Sequence, residues 1–131
     1  VFGRVAAGTP LLAEENRQET LRVDSFLLPG AGRIFALRVS GDSMIDDGIF
    51  DGDYIFVRKQ LQVNNGDIAV VMVDNEATVK RFYREPVVDG VGFRIRLQPA
   101  NETMDPIYVN ASDFREVNIL GIVVGVYRKM V

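Results

Sequence analysis

The chain contains no histidine, no cysteine and no tryptophan. The first two absences each remove a class of chemistry. Without cysteine there is no disulfide, no thiolate nucleophile and no zinc–sulfur site. Without histidine there is no Ser-His-Asp triad, no imidazole metal ligand and no side chain whose unperturbed pKa lies near neutral. No apolar run reaches the roughly 18 residues of a membrane span, and no signal-peptide pattern opens the chain. The expectation is a cytoplasmic protein with no membrane partner, no metal and no cofactor. Lysine and arginine total 15 against 18 acids, a net charge of −3. They are scattered and form no basic stripe, so this segment is not expected to grip nucleic acid by itself.

What is present suits one ordinary domain. The 131 residues are 47% hydrophobic and 25% charged, enough to bury a proper core. Short β-rich runs alternate with turn signals at Ile34–Val39, Tyr54–Val57, Ile68–Val73, Ala77–Tyr83, Phe93–Leu97 and Ile119–Tyr127. Asp51-Gly52-Asp53, Asn64-Asn65-Gly66-Asp67 and Asp74-Asn75-Glu76 supply turns between them. The pattern predicts a mainly β, compact antiparallel domain, barrel-like or two-sheeted, with few short helical turns. Pro10–Asn16 and Ser43–Asp47 are the candidates for those turns. Residues 1–19 are less regular and read as an arm packed on the domain.

The stretch VSGDSM at 39–44 poses the functional question. Ser43-Met44-Ile45-Asp46 fits a capping box, with a serine hydroxyl over a helix N-terminus and an acid three residues on. It equally fits a nucleophile at a strand end, where unpaired backbone N–H groups receive the oxyanion of a tetrahedral intermediate. The N–H groups of Ser43 and Asp42 are the candidate donors. With histidine absent, the base for such a serine is a lysine whose pKa burial has lowered from about 10.4. Lys80 fits that description. It lies inside the apolar strand run Ala77–Tyr83, where the period of two sets Thr78, Lys80 and Phe82 on one face. Thr78 is placed to hold the amine. The plain alternative is a strand lysine pointing into water. Lys59, in a polar turn, and Lys129, near the chain end, are poorer candidates.

These residues resemble the LexA family of self-cleaving domains, which includes phage repressors and the mutagenesis protein UmuD. The likeness rests on SGDSM at 40–44, DGD at 51–53, NNGDIAVV at 64–71 and TVKRF at 78–82, with GRVAAGTP at 3–10 upstream. It runs from about Gly3 to Tyr127. It implies a LexA/UmuD-like fold, Ser43 as nucleophile, Lys80 as general base and Ala7–Gly8 as the bond the chain cuts in itself. Val5 and Ala6 become cleavage-segment residues, small enough for a narrow site, and Gly8 gives freedom at the bond. Asp42 departs from the methionine common before the serine, and a carboxylate there would raise the lysine pKa. The resemblance also implies a homodimer and stimulation by RecA filament on single-stranded DNA. Operator DNA would be bound through an N-terminal domain missing here, and the output would be SOS induction of DNA-repair genes.

Other readings share the residues. A UmuD-like polymerase accessory protein or a prophage repressor would use the same chemistry. A signal peptidase also pairs serine with lysine, but the internal Ala-Gly segment and the lack of a membrane anchor weigh against it. A β domain that only dimerises would leave Ser43 as a cap and Lys80 solvated. The apolar run Ile119–Tyr127 reads either as a core strand or as an open edge for dimer pairing. Asn101-Glu102-Thr103 and Asn110-Ala111-Ser112 match the glycosylation pattern and are set aside for a cytosolic chain. DDGIFDGD at 46–53 lacks calcium-loop spacing and reads as turns.

Overall fold

A computed structural model of the chain describes residues 4–6, 11–12, 33–88, 90–113 and 115–130. Nine strands lie among them: β1 (Arg4–Ala6), β2 (Leu11–Leu12), β3 (Ile34–Ser40), β4 (Tyr54–Lys59), β5 (Ile68–Val73), β6 (Glu76–Pro86), β7 (Phe93–Gln98), β8 (Ile107–Asn110) and β9 (Val117–Tyr127). Single 3₁₀ turns occur at Ile45–Asp47 and Ala111–Asp113. All six predicted strand runs are strands, some extended by a few residues. The architecture is mainly antiparallel β, as expected, and no helix among the described residues is long and apolar enough to cross a membrane.

Strand pairing runs β3–β4–β9–β5–β6, and β1 closes this path by pairing with both β3 and β6. β7 and β8 continue the sheet beyond β6. The two β1 pairings are parallel, and the other pairings are antiparallel. The expected arm thus contributes two strands to the domain. The expected helical turn at Pro10–Asn16 is not formed at Leu11–Leu12, which pair in β2 with Ala77 and Glu76; the rest of that stretch lies outside the described residues.

The run IAVVMV of β5 does not alternate because both its faces are covered. Val70 joins a core with Leu37, Val39, Met44, Ile55 and Val79. Ala69, Val71 and Val73 join a second with Phe82, Leu97 and Val109. β5 turns into β6 through Asp74 and Asn75, both at positive φ, while Val73 pairs with Glu76. That is the two-residue hairpin whose backbone twist matches its strands. It sets the register that places Lys80 opposite Ala69 and Thr78 opposite Val71.

The apolar run 119–127 keeps both of its readings. β9 pairs with β5 over Val117–Ile122 and with β4 over Gly121–Tyr127, so it is a core strand at its middle, while exposed Val126 and Tyr127 have no described strand on the β5 side. Bulges at Phe56/Val57 and Val70/Val71 bend it between them. Gly121 of β9 pairs with Lys59 and lies hard against the β4 backbone. A Cβ there would lie 2.2 Å from the Arg58 carbonyl oxygen, so only glycine fits.

Candidate active site

β3 ends at Ser40, and Gly41, at φ +96°, turns the chain into the segment carrying Ser43. Met44 and Ile49 anchor that segment in the first core. Gly41 N–H donates to Asp51 Oδ1 at 2.8 Å. Ser43 is 0% exposed, and its hydroxyl makes no hydrogen bond among the described residues.

The capping-box reading of Ser43 is therefore overturned. The 3₁₀ turn begins one residue later, with Met44 in the cap position and no side-chain capping bond. The N–H that a Ser43 cap would take is that of Asp46, and it donates to Ala100 O at 2.8 Å instead. A tertiary acceptor has displaced the local one. Leaving a buried hydroxyl unpaired costs about 1–3 kcal/mol, and such an atom calls for an explanation outside packing.

Lys80 is 1% exposed, so the solvated reading also fails. Its Nζ donates to Thr78 Oγ1 at 2.7 Å and to the Val79 carbonyl at 3.1 Å. Burial disfavours the ammonium and lowers the pKa from 10.5 to about 8. The upward pull expected from Asp42 does not govern it, because desolvation does, and Asp42 is exposed. Thr78, fully buried, holds the amine as its position two residues away on the same strand face suggested. Lys59 and Lys129 are exposed.

Ser43 and Lys80 are not hydrogen-bonded to each other. What relates them is β1. Ala6 pairs with Ser40 on one side and with Thr78 on the other. Ser43 follows Ser40 by three residues, and Lys80 follows Thr78 by two. Two strand spacings separate the flanking residues, about 10 Å. The edge of β6 facing this side is taken by β2 and β1 at Glu76–Thr78 and by β7 from Arg81 onward. At Val79 and Lys80 no described strand pairs with it. Among the described strands this stretch of the β6 edge is unpaired, and it lies in line with β1. Val5 and Ala6 lie in β1; Ala7 and Gly8 fall outside the described residues.

Sequence reasoning passed over the residues that hold the serine turn. Asn101, set aside within a glycosylation match, donates from Nδ2 to Asp42 O at 2.9 Å. Arg81 forks onto Asp47. Neither had a local signal, since the partners are 59 and 34 residues apart in the chain.

A mainly β domain with a buried, unpaired serine hydroxyl and a buried lysine flanking the same short strand has the parts of a serine peptidase without histidine. The chain belongs to the Peptidase S24-like family, which it matches over residues 1–124. It is similar to the LexA repressor of Anaeromyxobacter sp. (strain Fw109-5), 58% identical over 130 residues covering 99% of this chain and 54% of the relative. The LexA repressor of Myxococcus xanthus (strain DK1622) is also 58% identical, over 132 residues, with 99% and 57% covered. That of Bacillus cytotoxicus is 45% identical over 131 residues, with 99% and 58% covered. The chain spans about half the length of the relatives it matches.

Proposed function

We propose that this chain is the self-cleaving domain of a LexA-type repressor, cutting its own Ala7–Gly8 bond with a Ser43–Lys80 dyad. The observation that carries the reading is Lys80, a lysine amine 1% exposed whose pKa has fallen to about 8. Lys80 Nζ donates to Thr78 and Val79, and these bonds orient the amine as a general base requires.

In the cleavage, Lys80 Nζ takes the Ser43 hydroxyl proton as Oγ bonds to the Ala7 carbonyl carbon. The Ser43 N–H faces the oxyanion. Collapse breaks the bond from Ala7 carbon to Gly8 nitrogen, and Lys80 returns its proton to the departing amine. Water, with Lys80 again as base, then releases the Ala7 carboxylate. Because the substrate is the chain itself, encounter is replaced by a conformational step. The pairing of Ala6 with Thr78 supports this, since the bond at issue begins one residue further along.

In the whole protein, a RecA filament favours the docked arm and supplies no catalytic group. Cleavage then separates an N-terminal operator-binding domain from this domain, which dimerises, and relieves repression of DNA-repair genes in the cytoplasm.

An intact-mass time course at mildly alkaline pH tests the reading, with Ser43→Ala and Lys80→Ala in parallel and activated RecA filament in a second set. A break after Ala7 in the parent alone is the expected result. A parent left whole even with RecA would overturn the reading and leave a domain that only binds.

A further inference from the structure

Asn101 belongs to the segment after β7 and reaches back 59 residues to the serine turn. Its amide orientation is determined by its neighbours. Thr103 donates twice to Asn101 Oδ1, from its backbone N–H at 3.0 Å and its hydroxyl at 2.8 Å. With the oxygen engaged there, Nδ2 is the end that faces Asp42, and it donates to the Asp42 carbonyl at 2.9 Å.

That carbonyl shares one rigid plane with the Ser43 N–H. In a trans peptide the C=O and the following N–H point in opposite directions. Fixing the Asp42 oxygen toward Asn101 therefore fixes the Ser43 N–H away from it. Neither the N–H nor the hydroxyl of Ser43 makes a hydrogen bond among the described residues. A donated hydrogen bond at the carbonyl also polarises the same amide and strengthens its N–H as a donor.

We infer that Asn101 is a positioning residue for the cleavage reaction, aiming the Asp42–Ser43 peptide so that the Ser43 N–H faces the oxyanion that forms at Ala7. The inference rests on the proposed role of Ser43. Asn101 touches neither the scissile bond nor the proton path. Its bond to Asp42 is exposed, so it contributes little to folding, and its effect is on the geometry of one donor.

The test is the pH–rate profile of self-cleavage after Ala7 in the 131-residue chain, for the parent, Asn101→Ala, Asn101→Asp and Thr103→Ala. It is run at a temperature where circular dichroism shows every variant folded. Removing an oxyanion donor outright costs about 10²–10³ in rate, so misaiming one should cost about tenfold or more on the alkaline plateau. Both Asn101 variants are expected to lose that plateau rate while the midpoint pH stays at the parent value. Thr103→Ala keeps the Asn101 amide but releases one of its two restraints, and should lose less. It also serves if an Asn101 variant fails to fold. A plateau at the parent rate in the folded variants overturns the inference. So does a shifted midpoint, because general loosening of the turn admits water around Lys80 and moves its pKa. A parent that does not cut after Ala7, even with RecA filament, removes the role of Ser43 and this inference with it.

Discussion

Arg81 and Asp47 form a two-pronged ion pair, with Nε donating to Oδ2 at 2.9 Å and Nη2 to Oδ1 at 2.9 Å. The residue beside Lys80 is thereby tied to the fourth residue after Ser43. Arg81 also donates to the Gly66 carbonyl, so one guanidinium holds the serine turn and the loop before β5 against β6. The pair is partly exposed, at 37% and 18% for the two side chains, so its coupling should be modest, about 0.5–1 kcal/mol after solvent screening. A double-mutant cycle of Arg81→Ala and Asp47→Ala by urea unfolding measures it. Arg81→Lys retains the charge but not the fork. It should slow cleavage more than it lowers stability, and equal losses in the two would count against a positioning role.

The rate of spontaneous cleavage should rise with pH through a midpoint near 8 and then level off. The lowered pKa of Lys80 sets that midpoint. In the proposed dyad only the neutral amine can accept the Ser43 proton. Single-turnover rates from pH 6 to 10.5 check this. A profile flat over that range, with the fold intact, would exclude lysine as the base.

Lys80 also makes stability depend on pH, and the sign is the reverse of a salt-bridged lysine. Its folded pKa of about 8 lies below the unfolded value of 10.5. Between these, the unfolded chain holds a proton that the folded chain has released, so stability rises with pH. Below pH 8 the full penalty applies, up to roughly 3 kcal/mol. Lys80→Met should therefore be more stable than the parent at pH 7, less whatever is lost with the hydrogen bond to Thr78. The advantage should shrink between pH 8 and 10.5. Urea midpoints for both proteins at pH 7, 9 and 10.5 check the trend.

Thr78→Val removes the 2.7 Å acceptor of the lysine amine while retaining a β-branched shape in a buried strand. The ammonium gains more from that acceptor than the neutral amine does, so the rate midpoint should move to lower pH. The amine also loses its orientation, and the plateau should fall about tenfold, a fraction of what general-base catalysis supplies. A midpoint that moves upward would contradict this account of Thr78.

Gly121→Ala should destabilise the domain by about 2 kcal/mol or more, since the new Cβ meets the backbone of β4 and neither strand can withdraw from the sheet. Thermal melts of the uncleavable Ser43→Ala form, with and without the substitution, measure it. An unchanged melting temperature would mean that β4 and β9 are free to part there.

The strands of this domain were legible because alternation, apolar runs and Asp-Gly or Asn-Gly turns are local signals. Ile34–Ser40 and Phe93–Gln98 appear much where those signals lie. Ile107–Asn110 was missed because four residues after a proline carry no period. β1 and β2 were missed because a two- or three-residue strand exists only through its partners. Ser43 was placed on the right turn, but its environment was not, because the Asp46 N–H that a local cap would use is taken by Ala100.

The sequence by itself determined which chemistry was open. With no histidine or cysteine, an activated serine has to rely on a lysine, and three separated motifs in order indicate the family. Composition and period also determined that the domain is β. Tertiary structure alone decided that Lys80 is a buried amine of lowered pKa and not an ordinary surface cation, because its pKa depends on the water excluded by residues far away in the chain. It also decided that β1 lies between the strands leading to Ser43 and Lys80. Strand pairing over 34 and 72 residues leaves no trace in local composition, since the hydrogen bonds that make it belong to the backbone, which every sequence shares.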